Sequence, residues 1–123
     1  SSAALAFLGD SVYEVRIRSR IVEECEGSAE ELNKRSKALT NARAQAYMAD
    51  VLKDQLTEEE LAVYKRGRNL KSLNAPKSCS ISEYRRATGL EALMGYLYLE
   101  NRQDRMDQLL QIGIAAIRES DAE

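Results

Sequence analysis

From residue 2 to residue 24 the apolar positions recur with a helical period, and only Gly9 breaks it. Ala3, Ala6, Tyr13, Ile17 and Ile21 form one stripe, and Leu5, Phe7, Leu8 and Val12 make the first half apolar nearly all round. Residues three and four apart share a helix face. The pattern therefore predicts a first helix that is either central to the core or shared with a second subunit. Ser28-Ala-Glu-Glu31 has the form of a capping box and predicts a helix over about 29–39. Asn41 reads as the N-cap of a helix over about 42–55, with Ala42, Ala46, Met48, Ala49 and Leu52 as its small and apolar contacts. Thr57-Glu-Glu-Glu60 is a second capping box, opening a helix to about residue 68 whose Leu61, Val63 and Tyr64 face inward. The stretch from 69 to 81 lacks periodicity and holds the only proline, so it reads as a loop. At that length a loop is often functional. Helices over about 82–100 and 103–119 complete the pattern. The expectation is an all-α chain of five to seven helices, forming one domain over 1–123.

Two acids interrupt this pattern. Asp10 falls on the Ala3/Ala6/Tyr13/Ile17 stripe, and Glu91 falls among Tyr84, Ala87, Thr88, Met94, Gly95 and Tyr98. An ionised carboxylate buried without a partner is very costly. One such acid reads as structural, satisfied by an arginine or tyrosine. Two on core helices raise another reading, because facing carboxylates in a helical core hold divalent cations through oxygen ligands. A hard ion such as Mg²⁺ takes one or two carboxylates, keeps several waters and completes its shell with substrate phosphate. Glu14, one turn beyond Asp10, could join such a site, but an i,i+4 pair with Arg18 is the favoured reading. Glu83 and Glu100 sit at helix ends, in ordinary capping or solvent roles.

Composition narrows the chemistry. The chain has no histidine, which removes Ser-His-Asp and Cys-His catalysis and makes zinc improbable. Cys25 and Cys79 have neither a CxxC spacing nor a disulfide framework, which suits a reducing compartment. No apolar run approaches a membrane span, so no membrane partner is expected. No secretory signal is visible. The chain starts almost inside a helix, which leaves room for native residues upstream. A net charge of −2 says little by itself, but its distribution says more. EECEGSAEE at 23–31 carries five acids and no base, whereas YKRGRNLKSLNAPK at 64–77 carries five bases and no acid. That basic segment suggests a local anionic partner. The alternative is a solvated helix end with cations near its C-terminal dipole.

The segments that carry these acids resemble a known family. LAFLGDSVYE at 5–14 resembles the signature helix of the ribonuclease III catalytic domain, and ATGLEALMGYLYLE at 87–100 resembles its second acidic helix. The intervening LNKRSKALTNARAQAYMADVL and RGRN match in order and spacing, so the resemblance covers essentially the whole chain. Asp10 and Glu91 match two of that family's four acidic positions, and the other two fall on Ala6 and Thr88. No double-stranded-RNA-binding domain is expected to follow. Ala6, the RGRN-x-K run from Arg66 to Lys71, and EYRRATGLEAL are similar to the stand-alone Mini-ribonuclease III branch, which lacks the same two acids and is active. The resemblance implies a homodimeric ribonuclease III helical bundle and a metal-dependent endoribonuclease cleaving double-stranded RNA. Its expected role is maturation of large-subunit (23S) ribosomal RNA, leaving 5′-phosphate and 3′-hydroxyl ends.

Under that reading Asp10 and Glu91 are the catalytic and metal-holding residues, with Mg²⁺ as cofactor and Mn²⁺ as a substitute. Helix one is the expected dimer interface. Arg66, Arg68, Asn69, Lys71, Lys77 and Arg85 are candidate contacts to RNA phosphates and 2′-hydroxyls, since duplex RNA is read mostly by shape. Either Arg85 or Arg86 could instead pair with a core acid, and Tyr13, Tyr84 and Tyr98 are expected to pack in the core. A bacterial cytoplasm is the simplest compartment, with an organelle after transit-peptide removal as the alternative. Two other functions stay open: a non-catalytic double-stranded-RNA-binding relative associated with ribosomes, and a helical dimer unrelated to RNA.

Overall fold

The computed structural model describes residues 1–71 and 74–122. Positions 72 and 73 of the expected loop, and position 123, lie outside the described residues. Six α-helices occur in the order α1 (Ser2–Glu24), α2 (Ala29–Thr40), α3 (Ala42–Leu52), α4 (Glu58–Arg68), α5 (Ile81–Leu99) and α6 (Gln103–Ala122). A 3₁₀ turn at Lys53–Gln55 extends α3, so the helix expected over 42–55 tightens in its last turn. No strand occurs among the described residues.

The helix starts follow the caps written in the sequence. Thr57 and Glu60 form a complete reciprocal capping box. Ser80 and Glu83 form another, which starts α5 at Ile81. The box expected at Ser28 is only half made. The Ser28 hydroxyl accepts from the Glu31 backbone N–H at 3.2 Å, but the Glu31 carboxylate turns to Arg35 at 3.0 Å. Between α5 and α6 the chain reverses through Asn101, at φ 55°. There the Arg102 N–H donates to the Leu97 carbonyl and the Asn101 N–H to the Tyr98 carbonyl, a Schellman closure that satisfies two orphan carbonyls.

Helix α5 is the centre of the molecule. It packs most extensively on α1 and also on α4 and α3, while α6 lies mainly on α3. Leu90, Leu93, Met94 and Leu97 of α5 join Tyr13, Ile17 and Ile21 of α1 and Met106, Leu109 and Leu110 of α6 in one core. Each such side chain contributes roughly 1.5–3 kcal/mol by leaving water. The Tyr13 hydroxyl donates to the Leu39 carbonyl at 2.6 Å, which ties α1 to α2 and settles the polar tip of a buried ring. Ion pairs staple the last helix at three points: Arg16 to Asp107, Arg118 to Glu24, and Arg105 to Glu60.

The contact that matters most for function is the crossing of α1 over α5. A Cβ on Gly9 would stand 1.6 Å from the Glu91 carbonyl oxygen, and one on Gly95 would stand 2.1 Å from the Leu5 carbonyl oxygen. Only hydrogen at these two Cα atoms lets the backbones meet so closely. Gly9 immediately precedes Asp10 and touches the backbone of Glu91, so the same crossing brings the two acids together.

Candidate active site

Asp10 and Glu91 come together at this crossing, close enough that the Asp10 carboxyl acts on that of Glu91. Their surroundings differ from the sequence expectation in one respect. Asp10 is exposed, as Ala3 is, although Ala6, Tyr13, Ile17 and Ile21 of the same stripe are buried. Glu91 is the acid taken largely out of water. Burial first, then a hydrogen bond to Asp10 and the charge of Asp10, push its carboxyl up to about 8, while a hydrogen bond from Gln45 pulls it down. The groups acting on Glu91 include no cation. With no positive charge at hand, burial and the neighbouring acid favour the protonated form of the Glu91 carboxyl. That proton occupies the role a cation would fill, so two hard oxygen donors without an arginine fit a divalent ion. No third acid or cysteine joins them in a metal-binding cluster among the described residues.

The two positions where family members carry further acids are built into the packing. Ala6 is buried in a small cluster with Val63 and Ala92, where α1, α4 and α5 meet. Thr88 is 6% exposed, and its hydroxyl donates to the Tyr84 carbonyl at 2.8 Å. Glu14 makes the expected pair with Arg18, but at a long 3.7 Å, and its Oε2 is buried without a hydrogen-bond partner among the described residues. Burial, and the charges of Glu91 and Glu14, also raise the Tyr13 phenol.

The basic segment lies next to this crossing. A Cβ on Gly67 would meet Ala92, Gly89 and the Thr88 carbonyl, so the C-terminal end of α4 rests on the stretch of α5 that carries Glu91. Arg66, Asn69, Lys71 and Lys77 are exposed. Arg68 lies over the Tyr64 ring at 5.7 Å and donates to the Asn69 side chain at 3.2 Å, so its guanidinium is held rather than free. Arg85 is half-buried in the first turn of α5, with its Nε shielded and unpartnered among the described residues. Arg86 pairs with Asp50 on α3, a surface acid, and among the described residues no ion pair joins either arginine to Asp10 or Glu91. Tyr13 is buried and Tyr84 half-buried as expected, but Tyr98 is 46% exposed. It stands by an apolar groove along α1 formed by Leu8, Val12 and Val15.

Gln45 was missing from the sequence reading of α3. It lies in the small-residue stripe between Ala42 and Ala49 and is 5% exposed. An amide at that point of an otherwise apolar stripe was the signal, of the same kind as the acids themselves.

An open depression lined by Arg43, Tyr47, Asp50, Glu83 and Arg86 among others contains neither Asp10 nor Glu91. The acid pair opens at an exposed aspartate instead, an arrangement suited to a long polymer laid across the surface.

Helical architecture, an acid pair without a cation and a basic helix end together define the class. The chain belongs to the ribonuclease III family, whose domain matches residues 3–102. Within that family it is similar to proteins named Mini-ribonuclease 3. The one from Clostridium tetani is 40% identical over 117 residues, spanning 94% of this chain and 78% of that protein. The one from Thermoanaerobacter sp. is 40% identical over 119 residues, spanning 97% and 84%. A crystal structure of protein FN1578 from Fusobacterium nucleatum superposes with a TM-score of 0.85 at 34% identity, covering 94% of this chain and 93% of that one. The branch read from LAFLGDSVYE and ATGLEALMGYLYLE therefore holds.

Proposed function

We propose that this chain is a metal-dependent endoribonuclease that cuts double-stranded RNA, with residues 1–123 acting as one catalytic domain. The observation that carries this reading is the Asp10–Glu91 pair, two neighbouring acids at the α1–α5 crossing of a ribonuclease III-family fold, with no cation among the groups acting on Glu91. Asp10 and Glu91 would hold Mg²⁺, or Mn²⁺ in its place. When bound, such an ion lowers the pKa of water and neutralises charge on a phosphodiester undergoing displacement.

The chain itself contributes position and environment. The Gly9–Gly95 crossing fixes the two acids on rigid helices rather than on loops. Glu91 faces the core and Asp10 faces solvent, so the pair presents one dry and one open side to a backbone lying over α1 and α5. Arg66, Arg68, Asn69, Lys71, Lys77 and Arg85 line the adjacent end of α4, the loop and the start of α5, where they would grip phosphates and 2′-hydroxyls. Cleavage is inferred to leave 5′-phosphate and 3′-hydroxyl ends, with large-subunit ribosomal RNA precursor as the natural substrate and the cytoplasm as the compartment. No helix among the described residues is long and apolar enough to cross a membrane.

A duplex has two strands, and a pair of sites would cut both. The outer face of α1 supports a homodimer, because Phe7 (84% exposed), Val15 and Val22 share it with the groove beside Tyr98. Exposed apolar residues aligned along one helix mark an interface. A second reading, a relative that binds duplex RNA without cutting it, is favoured only by Ala6 and Thr88.

The test is cleavage of a duplex RNA by wild type and Asp10→Asn over a Mg²⁺ series. Mg²⁺-dependent cutting by wild type that the variant loses supports the enzyme. Tight binding by wild type with no cutting under Mg²⁺ or Mn²⁺ would turn the assignment to the second reading.

A further inference from the structure

We propose that Asp50 and Arg86 are positioning residues for RNA binding, forming a strap from α3 that fixes the first turn of α5 and the cations beside it. This inference rests on the RNA-cleaving reading above. The first turns of α5 carry Arg85, and Lys77 lies just ahead of them. That end of α5 is held to α3 at two points. The half-buried Arg86 guanidinium pairs with Asp50, and its Nε donates to the Ser82 carbonyl at 3.3 Å. The Arg43 Nε stands 3.4 Å from Glu83 Oε2. Glu83 Oε1 accepts from the Ser80 N–H at 2.9 Å, so one carboxylate both caps the helix and takes the arginine.

The order of the charges gives this strap a direction. Arg43, Tyr47 and Asp50 recur with the helical period on one face of α3, and Glu83 and Arg86 share one face of α5. Along the chain α3 offers a cation and then an anion, whereas α5 offers an anion and then a cation. Slipping α5 by one turn would bring Arg86 against Arg43, so a single register satisfies both pairs. The depression lined by these four charged residues and Tyr47 opens the junction to water, which keeps each pair weak on its own.

The strap holds the cationic side of the site rather than the acids. Glu91 is placed by the Gly9 and Gly95 contacts and by its core neighbours Leu90, Leu93 and Met94. The end of α4 has its own seat, since Gly67 rests on Thr88, Gly89 and Ala92. By contrast Ile81 and Ser82 are exposed, and Glu83 through Arg86 are only half-buried. The start of α4 shows the tighter version of the same device. There the capping carboxylate of Glu60 is 1% exposed and takes Arg105 through hydrogen bonds of 2.9 and 2.8 Å. The start of α5 is thus the lightly packed end of a core helix, and its ion pairs to α3 set where Lys77 and Arg85 stand. Loosening them weakens the grip on phosphates while the acid pair keeps its place.

The experiment compares wild type with Asp50→Asn, which keeps the shape and loses the charge, and Asp50→Arg, which repels Arg86. A third protein combines Asp50→Arg with Arg86→Asp and so exchanges the pair. Dissociation constants for a blunt duplex RNA are titrated without divalent ion. The kcat and KM for its cleavage are measured at saturating Mg²⁺, with melting curves as the folding control. Both single substitutions make the protein more cationic, which by itself tightens RNA binding. The strap predicts the opposite sign. The expected result is a Kd and a KM raised about threefold in Asp50→Asn and about tenfold in Asp50→Arg, with kcat within about twofold of wild type. The exchanged pair should return both constants to within about twofold of wild type. Folded single variants that bind duplex RNA as tightly as wild type, or more tightly, would overturn the strap. So would an exchanged pair that stays as weak as Asp50→Arg. Wild type that neither binds nor cuts duplex RNA would overturn the RNA reading and this inference with it.

Discussion

Glu60 and Glu91 are both glutamates on inward helix faces, and the protein treats them in opposite ways. Glu60 is 1% exposed and completely satisfied: Arg105 grips both its oxygens, and one of them also caps the Thr57 N–H. Its carboxyl is held below the ordinary range, first by the hydrogen bonds from Arg105. Glu91 has no arginine. It has a second acid and an amide, and its carboxyl is driven up. Burial of an acid therefore does not mark a functional site by itself. The identity of the partner does: a guanidinium closes the account for stability, whereas a second carboxylate leaves a demand for positive charge that folding does not meet.

The comparison breaks most visibly in cleavage. Glu91→Gln is expected to lower the single-turnover rate on duplex RNA by on the order of 10³-fold. Glu60→Gln, assayed where it is still folded, should stay within about threefold of wild type.

Next in size is Gly9→Ala, because the new methyl would lie inside the Glu91 backbone. Overpacking against backbone, which cannot rotate away, should cost about 3 kcal/mol in urea unfolding and separate the acids, lowering cleavage too. For Glu60→Gln, which leaves Arg105 half-satisfied, urea unfolding should show a loss of about 2–3 kcal/mol. Glu91→Gln should match or exceed wild-type stability without metal, since it removes one of two crowded carboxylates.

The pH dependence of the metal-free protein should separate the two glutamates by sign. A raised carboxyl means the folded state binds the extra proton. The Glu91 contribution is therefore full below the ordinary carboxylate range and is lost as pH rises through about 8. A lowered carboxyl works the other way, so the Glu60 contribution is present at neutral pH and is lost as pH falls below that range. Urea unfolding from pH 5 to 9 should show stability declining by on the order of 1–4 kcal/mol. The decline should vanish in Glu91→Gln and persist in Glu60→Gln. Mg²⁺ should restore stability more at pH 8.5 than at pH 6, because at the lower pH ion binding must displace the Glu91 proton.

The smallest effect concerns the basic end of α4. Arg66→Ala should reduce the slope of log affinity against log salt by about one, in binding titrations on duplex RNA. Arg68→Ala should do so less, since its guanidinium already sits over Tyr64.

Much of this was legible in the sequence because the signals are local. Caps at Thr57 and Asn41, the aperiodic stretch around Pro76 and the apolar stripes placed the helices to within a few residues. Asp10 and Glu91 stood out as acids in apolar stripes within segments resembling a family signature. What could not be read was long-range. The exposure of Asp10 depends on where α5 covers α1, and Tyr98 came out of the core for the same reason. The pairing of Glu60 with Arg105 joins residues 45 apart, so its sequence showed only a capping role. Gln45 was passed over although an amide in a stripe of alanines is a signal of the same kind as the two acids. Gly9 read as a break in a helix, whereas it is the point where a second helix rests.

The most direct test of the central claim is Mn²⁺ binding, without RNA, by wild type, Glu91→Gln and Glu60→Gln at pH 8. The account predicts that wild type and Glu60→Gln bind the ion alike and that Glu91→Gln loses it. Undiminished Mn²⁺ binding by Glu91→Gln would contradict the claim that the acid pair is the ion's site.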